Sequence, residues 1–195
     1  YIVGPIEQEG FAQAIANTLI AKLGVTGSRL VVTMGSKGGV GTSMLAQGLA
    51  HGFAKFKGQK TLLVDAAGGW SANTVAMNVE PSFTLFEAAK AALRQDQDGL
   101  NRMILKADEK ISVLATGGDP MLEKALENEG LEALLTMLMA SWPLIIFDAS
   151  AAPAELKKAV VLQAHKILMV SSPDLYALRM ARALLNETRQ VRGAK

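Results

Sequence analysis

The chain has 195 residues, 50% of them hydrophobic and 19% charged, with a net charge of +2 and no cysteine. That much apolar content excludes a disordered chain, and the missing thiols exclude disulfides, thiolate metal sites and iron–sulfur ligation. Near neutrality excludes a global pull toward nucleic acid or anionic lipid, and no apolar run approaches the roughly 18–20 residues that span a bilayer.

In chain order, Tyr1-Ile2-Val3-Gly4-Pro5 reads as a strand ending in a turn. Phe11, Ile15, Leu19 and Leu23 then mark one face of a helix stopped by Gly24, and Val25 to Ser28 form a polar linker. Leu30 to Met34 is a short apolar strand, Gly35 to Ser43 a glycine-rich loop, and Met44 to Phe56 a helix. Thr61-Leu62-Leu63-Val64-Asp65 is a buried parallel strand. Phe83 to Leu93 is helical, and Ile111 to Ala115 is a strand stopped by Gly117-Gly118. Leu131, Leu134, Leu135, Leu138, Met139 and Trp142 line one face of a helix that Pro143 ends. Leu144-Ile145-Ile146-Phe147-Asp148 is a strand closing on an acid, Pro153 to Gln163 a helix and Lys166 to Ser171 a strand. A last helix starts at Pro173-Asp174 and runs to about Val191. Repeated strand–helix units predict an α/β fold, a doubly wound and mostly parallel sheet with helices on both faces, three layers in all. Because the chain begins with Tyr1 and stops after a charged stretch, it reads as a piece of a longer protein, with no signal peptide expected.

Gly35-Ser36-Lys37-Gly38-Gly39-Val40-Gly41-Thr42-Ser43 is a phosphate-binding loop in the required setting of strand, glycine loop and helix. Its glycines let successive backbone N–H groups turn inward onto phosphate oxygens, and the helix adds its positive end. Against the pattern G-x-x-x-x-G-K-[ST], Thr42 stands where the lysine belongs, and Lys37 is the loop's only lysine. Ser43 is placed to ligate Mg²⁺, and Asp148 to contact it directly or through water, as a Walker B acid does. Asp65 closes a neighbouring strand in the same way, although either acid alone would equally serve as a helix N-cap. His51 and His165 have no partner pattern and receive no role. The last helix carries Arg179, Arg182, Arg189, Arg192 and Lys195 against Glu187. Such a stripe is more often a solvated face than a contact for DNA phosphates or anionic lipid.

The run Lys37-Gly38-Gly39-Val40-Gly41 resembles the deviant Walker A loop of the MinD/ParA ATPases, and the resemblance extends over roughly residues 29–192. It implies a P-loop NTPase fold, ATP and Mg²⁺ as cofactors, and a homodimer in which the signature lysine, matched by Lys37, contacts the partner subunit's phosphates. Within that family the chain is most similar to the CpaE/TadZ branch, the localisation ATPases of Tad (Flp) pilus assembly. Three features carry this: the small residue after Gly41, the stretches Val79 to Leu85 and Ile111 to Ala115, and an N-terminal segment that looks like the end of a receiver domain. Residues 1–28 are accordingly expected to be a receiver-like remnant and linker, and residues 29–195 an ATPase domain truncated at its C-terminus. Receivers carry a lysine before the proline where this chain has Gly4, so the preceding domain is expected to lack the phosphorylation switch.

The same resemblance exposes departures. MinD/ParA proteins orient the attacking water with a second Asp, two residues after the one matched by Asp65, and this chain has Ala67 there. A charge-assisted hydrogen bond is worth roughly 1.5–3 kcal/mol, so losing the P-loop lysine weakens nucleotide binding about 10- to 100-fold. The resemblance therefore implies an atypical ATPase with weak or absent hydrolysis, in which Lys37, Asp65 and Asp148 are the candidate catalytic residues. It implies a nucleotide-supported homodimer in the cytoplasm, at the cell pole on the inner face of the membrane, engaging pilus assembly and secretion components. Nucleic acid is disfavoured as a partner, and membrane contact is at most indirect or peripheral. The alternative is an active ParA/MinD-type ATPase for DNA partition or for placing flagella or the division site.

Overall fold

The computed structural model describes residues 28–67, 71–117 and 126–193. The strand and helix expected within residues 1–28 lie outside the described residues.

Six strands form one sheet in the order β3-β4-β2-β5-β1-β6. They are β1 (Arg29–Gly35), β2 (Thr61–Asp65), β3 (Leu105–Lys106), β4 (Ile111–Ala115), β5 (Leu144–Asp148) and β6 (Lys166–Val170). All pairings are parallel except β3 with β4. The helices are α1 (Thr42–Lys57), α2 (Ala72–Ala76), α3 (Leu85–Leu93), α4 (Gln97–Met103), α5 (Asn128–Ser141), α6 (Ala154–Gln163) and α7 (Leu175–Arg192).

Strand alternation divides the core into two layers. Leu30, Val32, Leu62, Val64, Ile145 and Phe147 point to one face, beneath α3, α5 and α6. Val31, Leu63, Val113 and Ile146 point to the other, beneath Ala46, Leu49, Ala50 and Phe53 of α1. Because both faces are covered, the central strands are apolar throughout rather than alternating in polarity. Among the described residues, no helix is long and apolar enough to cross a membrane.

Within the described residues the expected strands and long helices are present, with three additions. Residues 72–76 and 97–103 are helical and β3 is an antiparallel edge, none of which apolar periodicity signals in so few residues. Cap chemistry moves several boundaries. Thr84 and Glu87 form a reciprocal capping box, so α3 begins at Leu85 rather than Phe83. Asp174 caps α7 by accepting from the Ala177 N–H at 2.9 Å, so α7 begins at Leu175.

Two connections have no slack. Gly117 N–H donates to the Phe83 carbonyl at 2.8 Å, which brings the chain leaving β4 against the residues that lead into α3. A Cβ on Gly117 would collide with the Pro81 carbonyl, a backbone atom that cannot rotate aside. Gly117→Ala is expected to destabilise the fold by about 1–3 kcal/mol, the usual cost of overpacking, read as a lowered urea midpoint with an unchanged m-value.

At the other end of β1, His165 accepts the Leu30 N–H through Nδ1 at 3.0 Å, while its own backbone N–H donates to the Leu30 carbonyl at 2.9 Å. The ring must stay neutral to accept. Burial, then the positive charges of Arg29 and Arg192, hold its pKa below the ordinary value. The unfolded chain therefore binds a proton more readily than the native one. The stabilising contribution is complete above the unfolded pKa of about 6.5 and is lost as pH falls through it. His165→Asn keeps an acceptor and removes the titration. The stability advantage of wild type over this variant, followed by urea unfolding from pH 8 to pH 5.5, is expected to shrink on acidification.

Candidate functional site

β1 ends in the glycine loop, and the loop turns directly into α1. Gly39 and Gly41 have φ of +77° and +89°, in the left-handed region that side chains disfavour. Gly38, Gly39 and Gly41 face open space, with nothing within 4 Å of a Cβ built at any of them. Gly41 is the N-cap of α1 and no side chain caps the helix, so the first-turn N–H groups remain available to an anion. The donor set and shape fit a nucleotide's phosphates.

Thr42, in place of the lysine, is buried. A Cβ on Gly35 would collide with the Thr42 hydroxyl, so that side chain folds back beneath the loop. Lys37 turns toward the start of α7: its Nζ lies 2.8 Å from Asp174 Oδ2. Ser36 ties the loop to the same region, its N–H donating to the Val170 carbonyl at 2.8 Å and its hydroxyl to the Ser171 hydroxyl at 3.1 Å.

The two strand-end acids lie side by side. Asp65 and Asp148 are register partners on β2 and β5, and Thr33 of β1 is the next residue in that row. Asp65 is 1% exposed and Asp148 is fully buried. Burial raises the Asp65 pKa, hydrogen bonds from Ser71, Ala67 and Asn73 oppose it, and the Asp148 charge adds to the rise. Asp65 accepts the Ala67 N–H at 2.9 Å through Oδ1 and the Ser71 hydroxyl through Oδ2. Asp148 accepts the Ser150 N–H at 3.0 Å and the Asn73 amide at 2.8 Å. The Ser43 hydroxyl lies 3.3 Å from that of Ser150. Among the described residues no three of His, Cys, Asp and Glu cluster as a metal cage. Mg²⁺ in a P-loop needs none, because one hydroxyl, an acid, waters and phosphate oxygens supply its oxygens. Ser43 with Asp148 fits that donor set.

Ser71, Asn73, Ser150 and Asp174 complete the site, and apolar periodicity did not single them out. The fully buried Asn73 reaches Asp148 because Ser71 caps α2, and Ser71 and Thr74 cap each other reciprocally. The spacing Ser71-x-x-Thr74 is the signal that could have located this short helix. The Asn73 orientation is fixed by Gln47, whose Nε2 donates to Asn73 Oδ1 at 2.9 Å.

The model of an AAA domain family, AAA_31, matches residues 28–195. The chain belongs to that AAA domain family. Its fold is that of the ParA/MinD P-loop NTPases, as solved structures show. A ParA family ATPase from Chlorobium tepidum TLS superposes with a TM-score of 0.71 at 21% identity, covering 83% of this chain and 67% of that one. MinD complexed with Mg-ADP from Pyrococcus horikoshii OT3 gives 0.68 at 18% identity, covering 84% and 65%. The kinase domain of the Escherichia coli tyrosine kinase ETK gives 0.65 at 15% identity, covering 96% and 77%. No curated protein matches the chain. The AAA domain thus spans about two thirds of the ParA and MinD chains it resembles.

Replacing Asn73 with Ala leaves a buried Asp148 oxygen without its amide donor. The expected cost is about 1–3 kcal/mol, measured by urea unfolding.

Proposed function

We propose that this AAA domain is an ATP-binding scaffold of Tad (Flp) pilus assembly, a nucleotide-supported homodimer on the cytoplasmic face of a cell pole that hydrolyses ATP weakly or not at all. One observation carries the reading: an open glycine cradle is combined with a buried Thr42 where the catalytic lysine belongs. Backbone N–H groups of residues 38–43 would hold the phosphates. Ser43 and Asp148 would hold Mg²⁺, which neutralises phosphate charge when bound.

Hydrolysis asks for more than retention. Phosphoryl transfer depends on groups positioned for the transition state, chiefly cations on the transferring oxygens and an anchor for the attacking water. Here the first-turn cation is absent at Thr42. The water-orienting position is Ala67, whose N–H only satisfies Asp65. Asp65 is itself engaged by Ser71. The remaining loop cation, Lys37, would serve dimer formation rather than turnover within one subunit, a role that rests on the resemblance of the loop. The pilus assignment rests on the resemblance of the loop and of the segments around Val79 to Leu85 and Ile111 to Ala115.

Calorimetry on the full chain is expected to show saturable binding of ATP with Mg²⁺. Phosphate release is expected at least about 100-fold below that of a MinD-type ATPase carrying both groups, the loss typical of one transition-state donor. Turnover equal to such an enzyme would sink the scaffold reading. Sedimentation is expected to show ATP-dependent dimer in wild type and its loss in Lys37→Ala. Equal dimer content with and without ATP would remove the nucleotide switch.

A further inference from the structure

We propose that Asp174 is a positioning residue that holds the Lys37 ammonium away from the phosphate cradle, and that bound phosphate must draw Lys37 off it. This rests on the nucleotide-binding reading of the loop.

Lys37 Nζ and Asp174 Oδ2 are 2.8 Å apart. Of the two groups, the carboxylate is the fixed one. Asp174 Oδ1 accepts the Ala177 N–H at 2.9 Å as the cap of α7, and Oδ2 accepts the Ser172 hydroxyl at 2.5 Å. Together with Lys37, the largest contributor, these hydrogen bonds hold the Asp174 carboxyl well below the usual carboxylate range. The lysine is the mobile partner. It carries a flexible four-carbon stem and is followed by Gly38 and Gly39, both facing open space.

The balance of strengths makes the contact releasable. The Lys37 and Asp174 side chains are 33% and 43% exposed. Exposed ion pairs of this kind shift an equilibrium by at most about fivefold. A phosphate offers a doubly charged group and several short charge-assisted hydrogen bonds, so it outcompetes a single carboxylate. Asp174 therefore lowers nucleotide affinity without abolishing it. The bound state costs the Lys37–Asp174 pair, and Lys37 is the only cation the loop can supply.

The contact also links two places. Asp174 leads α7, and Ser36 already joins the loop to Val170 and Ser171. Movement of Lys37 changes the load on the α7 cap, so the state of the cradle reaches the start of a helix whose Leu175 and Tyr176 are exposed.

The test is titration calorimetry of ADP and of ATPγS, each with Mg²⁺, into the full chain at fixed ionic strength. Wild type, Asp174→Asn, Lys37→Ala and the double variant are compared. Asn keeps an oxygen for the Ala177 N–H and is as good a cap as Asp. Asp174→Ser, which caps through its hydroxyl, guards against a folding defect specific to Asn. Both single Asp174 variants are expected to bind nucleotide up to about fivefold tighter than wild type, and the gain is expected to vanish in the Lys37→Ala background. A merely structural Asp174 would weaken binding, or leave it unchanged, in both backgrounds. Measurable wild-type binding without tightening in the Asp174 variants overturns the positioning role alone. Absence of binding in wild type and every variant overturns the nucleotide reading as well.

Discussion

The parallel register of β1, β2 and β5 is the constraint on which the site depends. Backbone pairing alone sets Thr33, Asp65 and Asp148 in one row at the ends of their strands. The loop leaves β1 two residues after Thr33, at the same edge of the sheet. Neighbouring strands lie about 4.8 Å apart, so two carboxylates and a phosphate cradle are forced together before any side chain chooses a rotamer. A register slip of one residue would turn both acids toward the opposite face. The apolar runs that fill the core are therefore also what aims the chemistry.

Around that row the buried polar side chains all have partners. No described buried side-chain nitrogen or oxygen lacks a hydrogen-bond partner. The short helix α2 exists to this end. Five residues cannot hold a helix by propensity, yet its start delivers Ser71 to one acid and Asn73 to the other. The site is thus a network whose members come from β1, α1, β2, α2 and β5, and a change in one reaches the others through shared hydrogen bonds.

Much of this was legible in the residues. Glycine spacing between an apolar run and a helix announced the loop, and apolar runs ending in Asp announced Asp65 and Asp148. The long helices followed from periodicity, Leu131 to Trp142 most plainly. What escaped was held by contacts distant in sequence. Asn73 meets Asp148 across 75 positions, and no local pattern records that pairing. Lys37 meets Asp174 across most of the domain, so the sequence shows a loop lysine and a helix cap but not that one holds the other. Short elements failed for a different reason: α2, α4 and β3 bury too few side chains to leave a periodic trace.

The two acids differ in the kind of partner each has, and that difference has a chemical consequence. Asp148 is served by a backbone N–H and by an amide whose oxygen is already claimed by Gln47, so neither donor can turn around. Asp65 faces the Ser71 hydroxyl, which can accept as readily as it donates. A proton arriving at Asp65 therefore finds a neighbour able to reverse its hydrogen bond, and the network can absorb that proton without breaking. A hydroxyl at position 71 can thus meet Asp65 in either form, as donor to the carboxylate or as acceptor from the acid, whereas the two groups that serve Asp148 act only as donors.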